Sequence, residues 1–281
     1  MAALDLSDDK FNFLKDIYLS FVFLTRLPAP GWTDAASRKL STGMWAFPIV
    51  GVLVATIAGL VFAVGDATGL PVYISALFAL VAMIITTGGL HEDGLSDLAD
   101  GAWGGADPAQ RLEIMSDSRI GAYGAIALIV SLAGRTAAIA TIAEPLFVLG
   151  ALIASAAVSR AIMPAMMAFG KPAKSSGLGA GAGTPNGATC CISLLVAAVI
   201  AAIAAPAGWL ICLAAAIAAA VLIAWFARCN LGGYTGDVLG AGQQVAELLA
   251  EGVNTKLTDS ALLIEVLPSE IDMTMTKSSN S

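Results

Sequence analysis

Long apolar runs, separated by short polar connectors, dominate the chain. A helix that crosses a bilayer needs ~20 mostly apolar residues at about 1.5 Å each. Six windows meet that requirement, at about 43–64, 72–90, 122–143, 145–169, 189–206 and 208–227. They fall into three pairs, and the connector inside each pair is tiny: residues 65–71, Glu144-Pro145 and residues 205–208. The pattern predicts an all-α polytopic membrane helix bundle of about six transmembrane helices in three hairpins. Before the first window, Phe11–Leu27 places apolar residues at helical spacing and reads as an amphipathic helix on the inner membrane surface. Beyond the last window, 238–268 is ambiguous. Val245–Leu249 and Ala261–Leu267 are apolar but short, and Glu247, Glu251, Lys256, Asp259 and Glu265 interrupt them. No seventh span is expected there.

Composition agrees with this picture. Of 281 residues, 58% are hydrophobic and 12% charged, against ~25% charged in an average soluble domain. Mean hydropathy is +0.83. Disorder, a basic nucleic-acid binder and an ordinary cytosolic enzyme are excluded. The 29 glycines and alanine-rich runs suit closely packed membrane helices. Of 14 basic residues, 12 lie in the N-terminal segment, in the 91–121 and 170–188 loops or after the last span, and none in the short connectors. Positive charge stays on the cytoplasmic side, so both termini and the larger loops are expected there. Asp5, Asp8, Asp9 and Asp16 surround Lys10 and Lys15, and no cleavage site follows an apolar core, so no cleavable signal peptide is expected. The expected organisation is one membrane domain over 1–250, with a cytoplasmic acidic loop at 88–121, and a poorly ordered cytoplasmic tail over 251–281. Lone His91 and four scattered cysteines lack zinc-ligand spacing and read as packing residues.

The net charge of −7 is concentrated in one place. Seven of the 21 acidic residues fall between 91 and 119: Glu92, Asp93, Asp97, Asp100, Asp107, Glu113 and Asp117. Asp93, Asp97 and Asp100 are spaced i, i+4, i+7, which puts them on one helical face. Like charges stacked this way repel. A hard cation relieves that, and Mg²⁺ takes carboxylate oxygens together with phosphate oxygens of a substrate. The plainer alternative is a solvated polar loop beside the membrane. Further on, Asp107-Pro108-Ala109-Gln110 reads as an N-cap, Pro at the first helical position and a capping-box Gln. Arg119 suits either a bidentate phosphate contact or a positive-inside anchor.

The stretch Thr87-Gly88-Gly89-Leu90-His91-Glu92-Asp93-Gly94-Leu95-Ser96-Asp97-Leu98-Ala99-Asp100-Gly101, with Arg111–Gly124 after it, strongly resembles the cobalamin synthase family, the adenosylcobinamide-GDP ribazoletransferases of the bacterial inner membrane. Shorter stretches at 23–28, 47–51, 176–179 and 232–241 are similar to the same family, and the resemblance runs from about 11 to 250. The chain departs from the pattern at Ser96, Leu98 and Ser116. The resemblance implies an Mg²⁺-dependent transfer that joins adenosylcobinamide-GDP to α-ribazole or its 5′-phosphate and releases GMP. Under it Asp93, Asp97 and Asp100 are metal ligands. Glu92 is a further ligand or general base, and Asp117 and Arg119 contact substrate. His91 is expected to be a structural hydrogen-bonding residue. The implied partners are the corrinoid nucleotide, the ribazole and membrane lipid, with no nucleic acid; assembly into a homo-oligomer is left open.

Two further features bear on the site. Span two exits through Gly88-Gly89-x₃-Asp93-x-Leu95, and span six through Gly232-Gly233-x₃-Asp237-x-Leu239. If this echo is not chance, Asp237, with Thr235, approaches the same site from a second hairpin. Arg135 and Arg160 fall inside spans, where each costs at least ~2.5 kcal/mol unless it faces protein or water. Arg160 is placed to floor a cytoplasmic cavity and touch phosphate, while Arg135 is within reach of Glu144. The glycine-rich 175–187 stretch matches no phosphate-loop fingerprint and reads as a flexible substrate-side loop. Two other functions compete: a CDP-alcohol-type phosphotransferase, whose Asp-rich signature is absent, and a transporter, which would carry its acids inside spans. Reporter fusions at Asp66, Glu144 and Ala207 are expected to read as periplasmic and those at Ala106, Gly179 and Lys256 as cytoplasmic. A periplasmic Ala106 would separate the acidic loop from cytosolic nucleotide.

Overall fold

A computed structural model of the chain describes residues 12–29, 31, 38–174 and 177–255, and among these every regular element is helical. An N-terminal helix, α1 (Phe13–Leu24), is capped by the Asn12 side chain on the Lys15 amide. It packs on the bundle through buried Asp16, which takes the Arg38 guanidinium at 2.9 Å and the Trp45 indole at 3.1 Å. A short turn, α2 (Leu40–Gly43), runs through a 3₁₀ segment at Met44–Ala46 into α3 (Phe47–Ala67). Then come α4 (Val72–Thr87), α5 (Leu90–Gly104), α6 (Pro108–Ile114), α7 (Ala122–Ile142), α8 (Pro145–Phe169), the single turn α9 (Leu178–Gly181), α10 (Gly187–Ala204) and α11 (Trp209–Leu231). A last helix, α12, occupies 236–255.

Among the described residues, five helices are long and apolar enough to cross a membrane: the continuous 40–67 segment, α7, α8, α10 and α11. The sixth expected span is a broken one. Over its 16 residues, α4 rises about 24 Å at ~1.5 Å per residue. The chain then bends by 92° into α5. The bend is made by Gly88 and Gly89, with φ of 70° and 69°, a left-handed conformation that costs glycine nothing. The Gly89 amide returns to the Ile84 carbonyl at 2.9 Å and closes the end of α4. After this right-angle bend α5 runs across the axis of α4 rather than continuing it.

The three sequential pairs are joined by tight turns as expected, yet the packing crosses between pairs. Helix α8 is the most enclosed span and packs on α3 and α10 far more than on its sequence neighbour α7. Gly51 admits the α8 backbone at Ala156, and Gly150 sits against the Ala204 carbonyl, so small residues set these close crossings. The outward faces carry exposed Ile85, Ile129, Leu195, Ile203 and Val221, the surface a lipid environment takes without cost.

The main departure from expectation is α12. The interruptions at Glu247 and Glu251 do not mark a solvated tail. Residues 236–255 form one helix inside the bundle, and the boundary expected at 250 cuts through it. Gln243, Glu247, Glu251 and Asn254 follow helical spacing on one stripe, and all are buried. Glu247 and Glu251 meet the two span arginines. Arg135 donates to both Glu251 oxygens at 2.8 and 3.0 Å and pairs with Glu247 at 3.1 Å. Arg160 pairs with Glu247 at 3.0 Å and also donates to the Ala156 carbonyl. Gln243 bridges Ser159 and Glu247, and Gln244 bridges Gln243 and Glu92 on α5. The expected pairing of Arg135 with Glu144 is therefore corrected: Glu144 is exposed at the start of α8, and α12 supplies the counter-charge instead. Residues 256–281, expected to be a poorly ordered tail, lie outside the described residues.

Removing one partner of a buried ion pair leaves the other charge uncompensated, at ~3–5 kcal/mol. Glu247→Ala, which strands Arg160 and leaves Arg135 with Glu251 alone, is expected to collapse the folded fraction in thermal unfolding of the detergent-solubilised protein. Glu144→Gln is expected to leave it unchanged.

Candidate active site

The helix carrying the acidic motif, α5, crosses the start of α12 at two glycines. A Cβ on Gly94 would stand 2.9 Å from the Asp237 Cα, and one on Gly240 would stand 3.2 Å from the His91 Cα. Only bare backbone allows that approach, and the approach brings Asp93 and Asp237 to the wall of one cavity of about 180 Å³. The two Gly-Gly-x₃-Asp segments thus converge. Its other walls include Phe23, Met163, Met167, Lys174, Tyr234 and Thr235. From the glycine-rich stretch, Gly177, Gly179 and Ala182 face the same space; Ser175 and Ser176 lie outside the described residues. Pockets that enclose a drug-sized ligand run to ~300 Å³ or more. This one is too small to enclose a large ligand whole.

Asp237 is free to face the cavity because another residue caps its helix. Thr235 accepts the Val238 amide at 3.3 Å and donates to the Asp237 carboxylate at 3.1 Å. Burial pushes the Asp237 carboxyl up, and the Asp93 charge adds to this, while the Thr235 hydrogen bond and Lys174 oppose it. Asp97, one turn beyond Asp93, is pushed up to about 7, first by burial and then by Asp93, Asp237 and Asp100, with Lys174 opposing. Mutual repulsion among these carboxylates is what a cation would relieve.

The remaining acids of the motif divide into other roles. Asp100 does not join Asp93. Its two oxygens accept the Gly121 and Gly124 amides at 2.7 and 2.9 Å, at the start of α7. A Cβ on either glycine would overlap the Asp100 carboxylate. Amides at a helix N-terminus are natural anion partners, so this corrects the assignment of Asp100 to metal. Glu92 points away from the cavity; it takes Gln244 at 3.1 Å and belongs to the buried network. Arg160 is likewise absorbed by Glu247, 1% exposed, and does not line the cavity. Asp117 and Arg119 pair with each other on the surface, Arg119 being 87% exposed. The Arg119 hydrogen bond holds the Asp117 carboxyl below its usual range.

His91 also departs from expectation. The residue borders the cavity, but its ring is buried, and neither ring nitrogen has a hydrogen-bond partner among the described residues. Lys174 was overlooked in the sequence, being one of several loop cations; the only available signal was its place in the loop that faces the acidic motif.

No group of three His, Cys, Asp or Glu side chains among the described residues converges to metal-ligand spacing. Mg²⁺ commonly uses one or two carboxylates, completing its shell with water and substrate phosphate. Asp93 and Asp237, backed by Asp97, fit that need, whereas Asp100 does not.

A multi-pass helical bundle with a carboxylate-lined cavity, part of its wall glycine backbone, is the architecture of a membrane protein with a polar site. The family model described as cobalamin-5-phosphate synthase matches residues 16–253. A protein of Mesorhizobium japonicum named adenosylcobinamide-GDP ribazoletransferase is 44% identical over 242 residues, covering 84% of this chain and 90% of that protein. Proteins of the same name from Bradyrhizobium diazoefficiens and Xanthobacter autotrophicus are 39% and 38% identical, covering 85% and 84% of this chain and 92% and 93% of theirs. No solved structure matches. The chain belongs to the cobalamin-5-phosphate synthase family, which sets aside the CDP-alcohol phosphotransferase and transporter alternatives.

Asp93→Asn and Asp237→Asn are each expected to lower turnover by ~10²-fold or more, and the double variant to fall well short of the product, since groups acting as a unit are non-additive. Asp100→Ala is expected instead to lower thermal stability by ~1–3 kcal/mol, as the buried Gly124 amide and the half-buried Gly121 amide lose their acceptor.

Proposed function

We propose that the acidic cavity is where this chain, as an adenosylcobinamide-GDP ribazoletransferase, joins adenosylcobinamide-GDP to α-ribazole or its 5′-phosphate. The product is adenosylcobalamin or its 5′-phosphate, with GMP released. The observation that carries the reading is the convergence of Asp93 and Asp237 on one cavity in a chain of this family.

The ribazole hydroxyl oxygen forms a bond to the phosphorus next to cobinamide. The bond from that phosphorus to the bridging oxygen breaks, and the oxygen leaves on GMP with its electron pair. The hydroxyl proton is taken up by the carboxylate cluster. Such a transfer needs positioning and charge neutralisation more than a covalent nucleophile. Mg²⁺, when bound, would neutralise diphosphate charge; Asp93 and Asp237 would hold it, with Asp97 behind them. Gly177 and Gly179 let the reactants approach the backbone. The apolar side of the cavity, Phe23, Met163 and Met167, keeps bulk water from the reacting phosphorus. The site is read as facing the cytoplasm of a bacterial inner membrane, in keeping with the distribution of Lys and Arg.

Purified protein in liposomes, given adenosylcobinamide-GDP, α-ribazole and Mg²⁺, is expected to release one GMP per cobalamin formed. Chelation should abolish the release, and added Mg²⁺ should restore it. Full activity in the presence of chelator would remove the metal from this account, and no GMP under any condition would remove the reaction.

A further inference from the structure

Lys174 is the one cationic side chain among the residues that line the acidic cavity. Its backbone is placed with care. The Ala173 amide donates to the Tyr234 carbonyl, and the Tyr234 amide to the Lys171 carbonyl, both at 2.8 Å. This isolated parallel bridge ties the loop after α8 to the segment that leads into Asp237. Gly233 is required there, because any Cβ would overlap the Lys171 carbonyl. Lys174 is therefore held in register with Thr235 and Asp237 while its long side chain keeps its reach.

The ammonium does not neutralise the site. Among the described residues it makes no ion pair; it donates to the Ser116 hydroxyl at 2.6 Å and the Leu112 carbonyl at 3.1 Å, both neutral, at the end of α6. It still acts on Asp97 and Asp237 through space. An ammonium has three donors, and exchanging two neutral acceptors for an anionic one gives stronger, charge-assisted bonds. A phosphate dianion entering beside carboxylates needs such a partner.

We propose that Lys174 is the anion-binding residue of the site: its ammonium leaves Ser116 and Leu112 to hold a phosphate monoester group of the reactants. The proposal rests on the transferase reading. The shared chemistry has two sources, the phosphate of departing GMP and the 5′-phosphate of a phosphorylated acceptor, and kinetics separates them.

Lys174→Met, Lys174→Arg and Ser116→Ala are assayed for GMP release with α-ribazole and with its 5′-phosphate. If the departing phosphate is held, Lys174→Met lowers kcat at least 10-fold with both acceptors, and inhibition by added GMP weakens at least 10-fold. If the acceptor phosphate is held, only KM for the phosphorylated acceptor rises, at least 10-fold. In either case Lys174→Arg retains most of the lost function and Ser116→Ala stays near wild type. Unchanged kcat and KM in Lys174→Met with both acceptors overturns the proposal. A loss that Ser116→Ala reproduces in full also overturns it, since the lysine then merely clamps α6. Wild-type protein that releases no GMP refutes the transferase reading and the proposal together, whereas active wild type beside an unaffected Lys174→Met refutes the proposal alone.

Discussion

Two arginines inside an apolar bundle must find counter-charges within the protein, and the architecture turns on how they do so. Arg135 on α7 and Arg160 on α8 share Glu247, and Arg135 takes Glu251 as well. All four groups are almost fully buried. The glutamates lie on a helix too charged to sit in lipid, so the ion pairs are what hold α12 between the spans. A buried pair of this kind contributes little over a well-packed apolar core, but losing one partner is costly. The network therefore serves less as added stability than as a constraint on which helix may occupy the centre.

The site inherits that constraint. Glu247 joins Gln243, Gln243 joins Gln244, and Gln244 joins Glu92, so the charged interior is hydrogen-bonded to the start of α5. Gly94 and Gly240 then let the two helices cross closely enough for Asp93 and Asp237 to share a wall. At the far end of α5, Asp100 fastens the helix to α7 through two backbone amides. Adjacent acids thus do different work: Glu92 and Asp100 anchor the helix, whereas Asp93 lines the cavity. Tyr234 completes the arrangement by bringing the Lys174 loop to the same place.

Much of the fold was legible in the sequence because hydropathy reports directly what lipid tolerates. The six windows match the 40–67 segment, α4, α7, α8, α10 and α11 within a few residues. The exception, α12, shows where that signal stops. Glu247 and Glu251 look like solvated charges unless they are matched to Arg135 and Arg160, and that match exists only in three dimensions. The same holds within the acidic motif. A spacing of i, i+4, i+7 places Asp93, Asp97 and Asp100 on one face, but the face is wide enough for Asp100 to reach α7 instead. Arg119 and Asp117, two residues apart, satisfy one another, which spacing alone does not reveal. By contrast, the Gly-Gly-x₃-Asp echo was readable, because both segments end a helix on a left-handed glycine, Gly88 and Gly232, and reach a carboxylate five residues on.

The central claim is that α12 passes through the bundle and delivers Asp237 to the acidic motif. It is tested most directly by proximity. With Cys190, Cys191, Cys212 and Cys229 replaced by alanine, an Asp93→Cys/Asp237→Cys protein in native membranes is treated with a short bifunctional thiol reagent, and the peptides are examined by mass spectrometry. The account predicts an efficient intramolecular link between positions 93 and 237. An Arg111→Cys/Asn230→Cys protein, whose native side chains bond at 2.7 Å, serves as the positive control. A link at 111–230 with none at 93–237 would mean that the two carboxylates do not share a site, and it would contradict the account.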